Sequence, residues 1–355
     1  MMISPFPDPR LHSSLEEEGI GHAIDLLVGT EASEEQKGDF LTALHQRGET
    51  AEELAGFARA LLGRSVVPAI NRSEGGPLLE LCGTGGDRAG LLNISTAAMF
   101  VAAGAGARVV KHGNRAVSSN CGSADVLEAL GVSIHLDPAR VGEVLERAGC
   151  VFLLASHFHP TIAAVAAIRR SLAALGQMTI FNLLGPLLNP AEPDFQLAGI
   201  YRPEKLSLYA QAMGLLGRKS AWAVHGQGAE GGVDELSITG PSRVVAVSLG
   251  AKGPELSEFC VLPEELGFAP VTTPELLLGG DALTNARRIE AILSGVETGP
   301  AREMILLNAG AALHLAGLAE GLEEGIFLAR QGLDAGSANN VLSSLREAST
   351  AAAAI

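Results

Sequence analysis

Residues 78–87 have the sequence LLELCGTGGD, in which a short apolar run passes directly into a glycine-rich turn. Shortly afterwards, Asn93-Ile94-Ser95-Thr96 opens an alanine-rich helical stretch. Glycines let the backbone approach a phosphate closely, and free amides at a helix start favour an anion. The stretch therefore predicts a strand, a diphosphate-binding loop and a helix. It is neither a Walker A loop nor a dinucleotide fingerprint, and the turn alone is equally consistent with an ordinary strand-to-helix connection.

Downstream of this unit, short apolar runs alternate with helical segments. Strands are predicted at Leu78 to Cys82, Ala107 to Lys111, Val132 to His135, Cys150 to Leu154, Gln196 to Tyr201 and Ala221 to His225. Helices are predicted at Thr96 to Ala105, Ser123 to Leu130, Ala139 to Ala148, Thr161 to Leu172 and Glu204 to Leu216. This alternation predicts a mostly parallel sheet covered by helices, with ligands bound beyond the carboxyl ends of the strands.

Helical patterns flank this region on both sides. Apolar spacing predicts helices at Glu17 to Val28, Glu34 to Gln46 and Ala51 to Leu62, and Ser33-x-x-Gln36 and Thr50-x-x-Glu53 are typical capping boxes. A second helical region is predicted from Ala282 to the end. We therefore predict an α/β protein with two domains. A smaller all-helical domain, residues 1–75 joined by part of 160–195, precedes a larger α/β domain, residues 76–355, with a mostly parallel central sheet and C-terminal helices.

Composition narrows the classes of function. The 355 residues are 47% hydrophobic with a formal charge of −15, which opposes nonspecific binding to nucleic acid because that binding needs a basic surface. Only 4% of residues are aromatic and 43 are glycine, as in an aliphatic α/β enzyme. The four scattered cysteines indicate neither a zinc site nor a disulfide framework. With no signal-like N-terminus and no apolar stretch long enough for a membrane span, we expect a cytoplasmic protein.

A second anion-binding loop follows the predicted strand Ala107 to Lys111. Its residues are Lys111-His112-Gly113-Asn114-Arg115-Ala116-Val117-Ser118-Ser119, and Gly122-Ser123-Ala124-Asp125 comes soon after. Two cations, an amide and three hydroxyls beside few carboxylates favour binding of an anion or a polyol. A solvated charged loop is the alternative.

Two further features carry potential chemistry. Asp234-Glu235 follows a predicted strand and could gather Mg²⁺, a cation that prefers carboxylate and phosphate oxygens, although adjacent acids are also common on surfaces. His157-Phe158-His159-Pro160, followed by Arg169-Arg170, could hold an aromatic carboxylate, although such residues are also ordinary caps and surface groups. The segment Phe181 to Pro190 is interpreted as scaffold rather than catalyst.

Together these segments resemble, in sequence order, the signatures of the anthranilate phosphoribosyltransferase family. The resemblance extends from the helical start through Asn308. It implies a nucleoside phosphorylase/phosphoribosyltransferase-like fold, a homodimer, and an active site in the cleft between the domains. The implied reaction transfers the 5-phosphoribosyl group of phosphoribosyl pyrophosphate to the amine of anthranilate in tryptophan biosynthesis, with Mg²⁺.

The resemblance also implies roles for individual residues. Lys111, Asp234 and Glu235 would be catalytic, and Ser95, Asp234 and Glu235 would bind Mg²⁺. The phosphoribosyl pyrophosphate site would consist of Gly83, Gly86, Asp87, Asn93, Ser95, Thr96, Lys111, Ser119 and Ser123. The anthranilate site would consist of Gly83, Asn114, His159 and Arg169. The C1–pyrophosphate bond would break with oxocarbenium-like character, and the neutral arylamine would attack without a strong base.

The chain departs from the family pattern at several positions. Leu91 replaces a usual threonine phosphate ligand, and Met178 replaces a usual arginine close to the expected anthranilate pocket. The chain is also longer than usual between Arg170 and Thr179 and between His225 and Asp234. A related phosphoribosyltransferase or pyrimidine nucleoside phosphorylase is the nearest alternative, and a catalytically inactive nucleic-acid binder is a more remote one.

Overall fold

The computed structural model describes residues 5–11, 13–73, 75–87, 89–116, 120–228 and 231–354. Its strands are β1 Leu79–Gly83, β2 Val109–Gly113, β3 Cys150–Leu154, β4 Phe195–Gly199, β5 Ser220–Gln227, β6 Gly232–Val233, β7 Ser242–Gly250 and β8 Gly253–Val261. Its helices are α1 Glu17–Val28, α2 Glu34–Arg47, α3 Ala51–Leu62, α4 Ile94–Gly104, α5 Ser123–Ala129, α6 Val141–Ala148, α7 Ala155–Phe158, α8 Ala166–Ala174, α9 Leu206–Leu215, α10 Ala282–Leu293, α11 Pro300–Leu315, α12 Leu322–Asp334 and α13 Ser337–Ala351.

The strands form one sheet in the order β3-β2-β1-β4-β5-β7-β8, with β6 paired to β5. The first five strands are parallel, whereas β6, β7 and β8 pair antiparallel. The parallel strands end at the same edge, so the loops after β1 and β2 lie side by side. The predicted mostly parallel sheet is confirmed, with the glycine-rich turn leaving one of its inner strands.

The helical region begins with three capped or charged helix starts. The Ser33 and Thr50 side chains accept hydrogen bonds from the backbone N–H groups of Gln36 and Glu53, whose own side chains bond back. Both predicted capping boxes are confirmed. Apolar residues of α1 to α3 share one core with Ile168 and Leu172 of α8 and with one face of the sheet. The boundaries of the two domains stay a prediction.

The C-terminal helices cover the opposite face of the sheet. Helix α4 is almost entirely buried and packs against α11 and α13. A Cβ atom at Gly104 would lie 2.8 Å from the backbone nitrogen of Ala338, so the backbones of α4 and α13 approach closely. This packing fixes the N-terminal end of α4 beside the glycine-rich turn. Among the described residues, no helix is long and apolar enough to cross a membrane.

The predicted strand Val132 to His135 is wrong. These residues pair with no strand in the described part of the chain and run beside the C-terminus, where Ser133 N–H donates to Ser349 Oγ at 3.0 Å. Val132 and Ile134 alternate with more exposed residues because their buried side chains meet the helical core rather than a sheet.

Two other differences follow from long-range packing. The hairpin β7–β8 was not predicted, and β8 is exposed along most of its length, which removes the apolar signal of a buried strand. The predicted helix Thr161 to Leu172 is divided, since Pro160–Val165 forms a 3₁₀ helix before α8 begins.

Candidate active site

Two adjoining cavities open at the carboxyl ends of β1 and β2. The first, of about 610 Å³, lies among the glycine-rich turn, the starts of α4 and α5, the loop after β2, and Asp234-Glu235. The second, of about 520 Å³, lies among the loop after β2, residues 155–169 and residues 181–188. Their shared wall consists of Cys82, Gly83, His112, Gly113 and Asn114. We call them the donor cavity and the acceptor cavity.

The glycine-rich turn closes tightly over one carboxylate. Gly85 and Gly86 have φ values of +68° and +87°, which residues other than glycine rarely adopt. Gly85 N–H donates to Asp234 Oδ2 at 2.7 Å. A Cβ atom at Gly83 would lie 2.3 Å from the same oxygen, and one at Gly199 would lie 1.6 Å from the Asp234 carbonyl oxygen. Asp234 is therefore held in a space that only glycines leave open.

Lys111 and Ser95 meet at the floor of the donor cavity. Lys111 Nζ donates to the Leu81 carbonyl at 2.6 Å and to Ser95 Oγ at 3.1 Å. Ser95 N–H, in the first turn of α4, donates to Glu235 Oε1 at 3.1 Å. Burial lowers the pKa of Lys111, while the nearby carboxylates oppose that effect. A cation and a helix start thus face the same space as two acids.

The acids Asp234 and Glu235 line the donor cavity rather than the outer surface. Burial, followed by the charge of Asp87, raises the pKa of Asp234, and burial, followed by the charge of Asp234, raises the pKa of Glu235. A bound cation would offset this repulsion. The described residues contain no cluster of three or more His, Cys, Asp or Glu side chains arranged for a metal. Two carboxylates and the Ser95 hydroxyl nevertheless fit Mg²⁺, which commonly takes its other oxygens from phosphates and water.

Asn308 of α11 holds the backbone beside these acids. Its Oδ1 accepts from Leu236 N–H at 3.0 Å, and its Nδ2 donates to the Leu236 carbonyl at 2.9 Å. Asn308 is completely buried. No sequence pattern indicates this role, because Asn308 and Leu236 are 72 positions apart.

The donor cavity gathers the other predicted donor-site residues that are described. Those that line it are Gly83, Gly86, Asp87, Asn93, Ser95, Thr96, Lys111 and Ser123. Ser119 lies outside the described residues. Arg115, in the same loop, is paired with Glu128 and Asp125 and does not line either cavity.

The acceptor cavity is lined by all four predicted anthranilate residues, Gly83, Asn114, His159 and Arg169. His159 is buried and its Nε2 donates to the Leu188 carbonyl at 2.6 Å. The Arg169 guanidinium lies 5.5 Å from the Phe181 ring centroid and forms no ion pair within the described part of the chain. Burial lowers the pKa of Arg169, but an arginine stays charged at neutral pH. Within the described part of the chain, the cavity therefore offers a cation with no ion-pair partner beside an aromatic ring.

Sequence reasoning gave no separate role to His112, which lines both cavities. Burial, aided by the charges of His159 and Lys111, lowers the pKa of His112 to about 3, so its ring is neutral at pH 7. Its Nε2 has no hydrogen-bond partner in the described structure. The alternation along β2, which places His112 and Lys111 on opposite faces, was the available signal. Phe181 and Pro186, interpreted as scaffold, also contribute to the acceptor wall.

Only some of the departures from the family pattern border a cavity. Leu91 lines the donor cavity and forms an antiparallel bridge with Leu278. Met178, expected close to the acceptor pocket, is not among the residues that line the acceptor cavity, and its sulfur contacts Arg202 Nη2 at 2.8 Å. Part of the longer segment between His225 and Asp234 lines a third cavity, of about 360 Å³, beside Asp87.

Comparisons with known proteins agree with this geometry. Residues 10–65 match the model described as "Glycosyl transferase family, helical bundle domain", and residues 75–339 match "Glycosyl transferase family, a/b domain". The anthranilate phosphoribosyltransferase of Roseiflexus castenholzii is 48% identical over 93% of this chain and 92% of its own length. The crystal structure of the Thermus thermophilus anthranilate phosphoribosyltransferase is 40% identical, with a TM-score of 0.86 over 97% of this chain and all of that one. The Saccharomyces cerevisiae enzyme in complex with PRPP and Mg is 28% identical, with a TM-score of 0.82 over 97% of this chain and 94% of that one.

Proposed function

The chain belongs to the anthranilate phosphoribosyltransferase family, and from this membership we propose that its two cavities hold the two substrates of one transfer reaction. The enzyme transfers the 5-phosphoribosyl group of phosphoribosyl pyrophosphate to the amine of anthranilate, giving N-(5-phosphoribosyl)anthranilate and pyrophosphate, in tryptophan biosynthesis. The observation that carries the proposal is the wall shared by the cavities at Gly83 and His112 to Asn114. Because these residues line both cavities, a ligand in one cavity would lie next to a ligand in the other at this boundary.

Phosphoribosyl pyrophosphate occupies the donor cavity. Gly83, Gly86, Asn93, Thr96 and Ser123 would contact it through backbone amides, an amide group and hydroxyls. Free amides at the start of α4 favour its phosphates. The Lys111 ammonium group faces the same cavity, and nearby carboxylates favour its charged form. It would therefore stabilise the negative charge that develops on the departing pyrophosphate.

Mg²⁺ is the proposed cofactor, held by Ser95, Asp234 and Glu235, with Asp87 close by. The support is the raised pKa of both acids and the complex of the yeast relative with PRPP and Mg. When bound, Mg²⁺ supplies positive charge to phosphate oxygens. The protein contributes by fixing the acids, since Gly85 N–H and Ser95 N–H each hold one carboxylate.

Anthranilate occupies the acceptor cavity with its carboxylate at Arg169. That guanidinium has no ion-pair partner among the described residues, and a planar cation suits a planar carboxylate. His159 supports the Leu188 turn, and Asn114 lies at the boundary with the donor cavity. The amine would then point towards the shared wall and attack C1 from the face opposite the pyrophosphate. Positioning and electrostatics suffice, because an arylamine is neutral and nucleophilic at pH 7.

Three properties accompany this proposal. We propose a homodimer, on the resemblance to the family, and a cytoplasmic location, on the sequence alone. Anthranilate and phosphoribosyl pyrophosphate are the proposed small-molecule partners, with no role for nucleic acid or membrane.

The proposal is tested by following the loss of anthranilate fluorescence in the presence of phosphoribosyl pyrophosphate and Mg²⁺, with and without a chelator. Lys111→Ala should reduce kcat about 10²- to 10³-fold, as expected for loss of an electrostatic stabiliser. Lys252→Ala, at the exposed β7–β8 turn, is the matched control and should leave the rate unchanged.

A double variant tests the metal assignment. Asp234→Asn with Glu235→Gln should abolish the dependence on Mg²⁺ together with activity. Unchanged turnover in Lys111→Ala, or unchanged Mg²⁺ dependence in the double variant, would contradict the assignment of the donor cavity.

A further inference from the structure

A chain of side-chain amides links helix α10 to the donor cavity. Gly280 N–H donates to Asn285 Oδ1 at 2.6 Å, and Asn285 Nδ2 donates to Asn93 Oδ1 at 2.9 Å. Asn93 Nδ2 in turn donates to the Cys121 carbonyl at 3.2 Å. Asn285 is 2% exposed and lines neither cavity, whereas Asn93 lines the donor cavity. Asn285 therefore acts on the cavity only through other residues.

The two ends of this chain fix the orientation of both amides. A backbone N–H can only donate, so Gly280 requires the oxygen of Asn285 on its side and turns Asn285 Nδ2 towards Asn93. The oxygen of Asn93 must then face Asn285, and its nitrogen must face the Cys121 carbonyl, which can only accept. An amide nitrogen carries two hydrogens, and Cys121 uses one of them. The second N–H of Asn93 is left for the donor cavity.

The direction of this last group matters for an anionic ligand. Ionised phosphate oxygens only accept hydrogen bonds, so Asn93 assists the binding of a phosphate group only when it presents N–H. Without Asn285, Asn93 Oδ1 loses its donor, and the Asn93 amide keeps only its hydrogen bond to the Cys121 carbonyl, about which it can rotate. A rotated amide would no longer aim its second N–H at the negatively charged phosphate.

The backbone around Asn285 is also fastened to the phosphate loop. Leu92 N–H donates to the Leu277 carbonyl at 2.9 Å, and Gly279 N–H donates to the Gly90 carbonyl at 2.7 Å. A Cβ atom at Gly279 would lie 2.8 Å from Asn285 Oδ1, so the segment that precedes α10 passes very close to this amide. These bonds keep Asn285 at a constant distance from Asn93.

We propose that Asn285 is a positioning residue for the phosphoribosyl donor, which fixes the amide of Asn93 so that its free N–H points at the bound phosphoribosyl pyrophosphate. This inference rests on the proposed donor role of Asn93. It assigns to α10, outside both cavities, a part in donor affinity that is separate from anthranilate binding.

A double-mutant cycle tests the inference. Asn285→Ala, Asn93→Ala and the double variant are compared with the wild type by titrating Mg²⁺-phosphoribosyl pyrophosphate calorimetrically and by measuring the KM of anthranilate. Asn285→Ala should weaken donor binding about tenfold, the usual effect of one hydrogen bond to a charged ligand, with the anthranilate KM within about twofold of the wild type. In the Asn93→Ala background, Asn285→Ala should change donor affinity less than about twofold.

Asn285→Asp keeps the shape but removes both N–H donors, and it should weaken donor binding at least as much as the alanine variant. It carries the test if Asn285→Ala proves too unstable to assay. Asn340→Asp, an exposed asparagine of α13, makes the same chemical change elsewhere and should leave both substrates unaffected.

These measurements distinguish failure of the positioning role of Asn285 from failure of the proposed donor role of Asn93. Donor affinity unchanged in Asn93→Ala would overturn the donor role of Asn93 and this inference with it. Weakened binding in Asn93→Ala but normal binding in Asn285→Ala and Asn285→Asp would overturn the inference alone. Equal losses for donor and acceptor, or additive effects in the double variant, would show that Asn285 has only a general structural role.

Discussion

Replacing Gly83 with alanine should damage catalysis by displacing the carboxylate of Asp234. The added Cβ atom would lie 2.3 Å from Asp234 Oδ2 and 2.9 Å from its Cγ. Gly83 is the last residue of β1 and has an ordinary negative φ, so alanine introduces no backbone strain there. The collision therefore falls mainly on one functional side chain, and the Asp234 carbonyl oxygen, 3.2 Å from the added Cβ atom, must shift only by a few tenths of an ångström.

The size of the effect follows from the distance. Carbon–oxygen contacts need roughly 3.4 Å, so the Asp234 carboxylate must move by about 1 Å and lengthen its bond from Gly85 N–H. A displacement of about 1 Å in a catalytic arrangement costs on the order of 10²-fold in rate, or about 2.7 kcal/mol. We expect kcat/KM to fall by that factor and the Mg²⁺ concentration for half-maximal activity to rise.

The assay is the decrease in anthranilate fluorescence over a Mg²⁺ titration, with urea unfolding to confirm a native fold. Gly21→Ala is the matched control, since a Cβ atom there meets no atom within 4 Å in α1. It should leave activity unchanged and stabilise the helix by about 0.5–1 kcal/mol. Gly83→Ala should also add little to Asp234→Ala. Activity within twofold of wild type, or full additivity with Asp234→Ala, would show that the Gly83 Cβ atom does not act through the Asp234 carboxylate.

Three other predictions test separate parts of the site. Arg169→Ala should raise the KM of anthranilate about 10- to 100-fold while the KM of the donor is unchanged, and the exposed Arg170→Ala is its control; equal effects of the two variants would contradict the acceptor assignment. Asn308→Ala should destabilise the protein by about 1–3 kcal/mol in urea unfolding and raise the Mg²⁺ requirement, because Leu236 loses both hydrogen bonds; an unchanged Mg²⁺ titration would contradict this. Burial raises the pKa of Glu80 to about 7 from 4.5, so the stability that its protonated form contributes is complete below pH 4.5 and is lost as the pH rises through 7. The free energy of unfolding of Glu80→Gln should therefore rise by about 3 kcal/mol relative to that of the wild type between pH 4.5 and 8. A difference in unfolding free energy that does not vary with pH would contradict the raised pKa of Glu80.

Local sequence was sufficient for elements whose signal is contained within one turn or one strand. Ser33 and Thr50 cap their helices because the partner lies three residues away in each case. The glycines after β1 were readable because a positive φ is a local requirement. By contrast, Val132 to His135 has the alternation of a strand but packs on the C-terminal helix, and alternation does not specify what covers the buried side chains.

The features of the site also divide into those that local sequence predicted and those that only the fold brought together. Residue types and a helix start predicted anion binding at three segments, namely Gly83 to Asp87, Asn93 to Thr96 and the Lys111 loop. No local pattern indicated that Asp234 would bond to Gly85 from 149 residues away. Two further features became visible only in three dimensions. Arg169 has no ion-pair partner among the described residues, and His112 lines both cavities.

Sequence motifs were sufficient to predict the family, the α/β architecture and most of the side chains that line the two cavities, because motifs concentrate chemistry in short loops. The tertiary structure alone decided how these groups are aimed. Asn285 reaches Asn93 across 192 residues, and Asn308 holds the acids from another helix. The physical reason is that a hydrogen bond depends on distance and direction between atoms, whereas sequence spacing constrains these only within a few residues along one element.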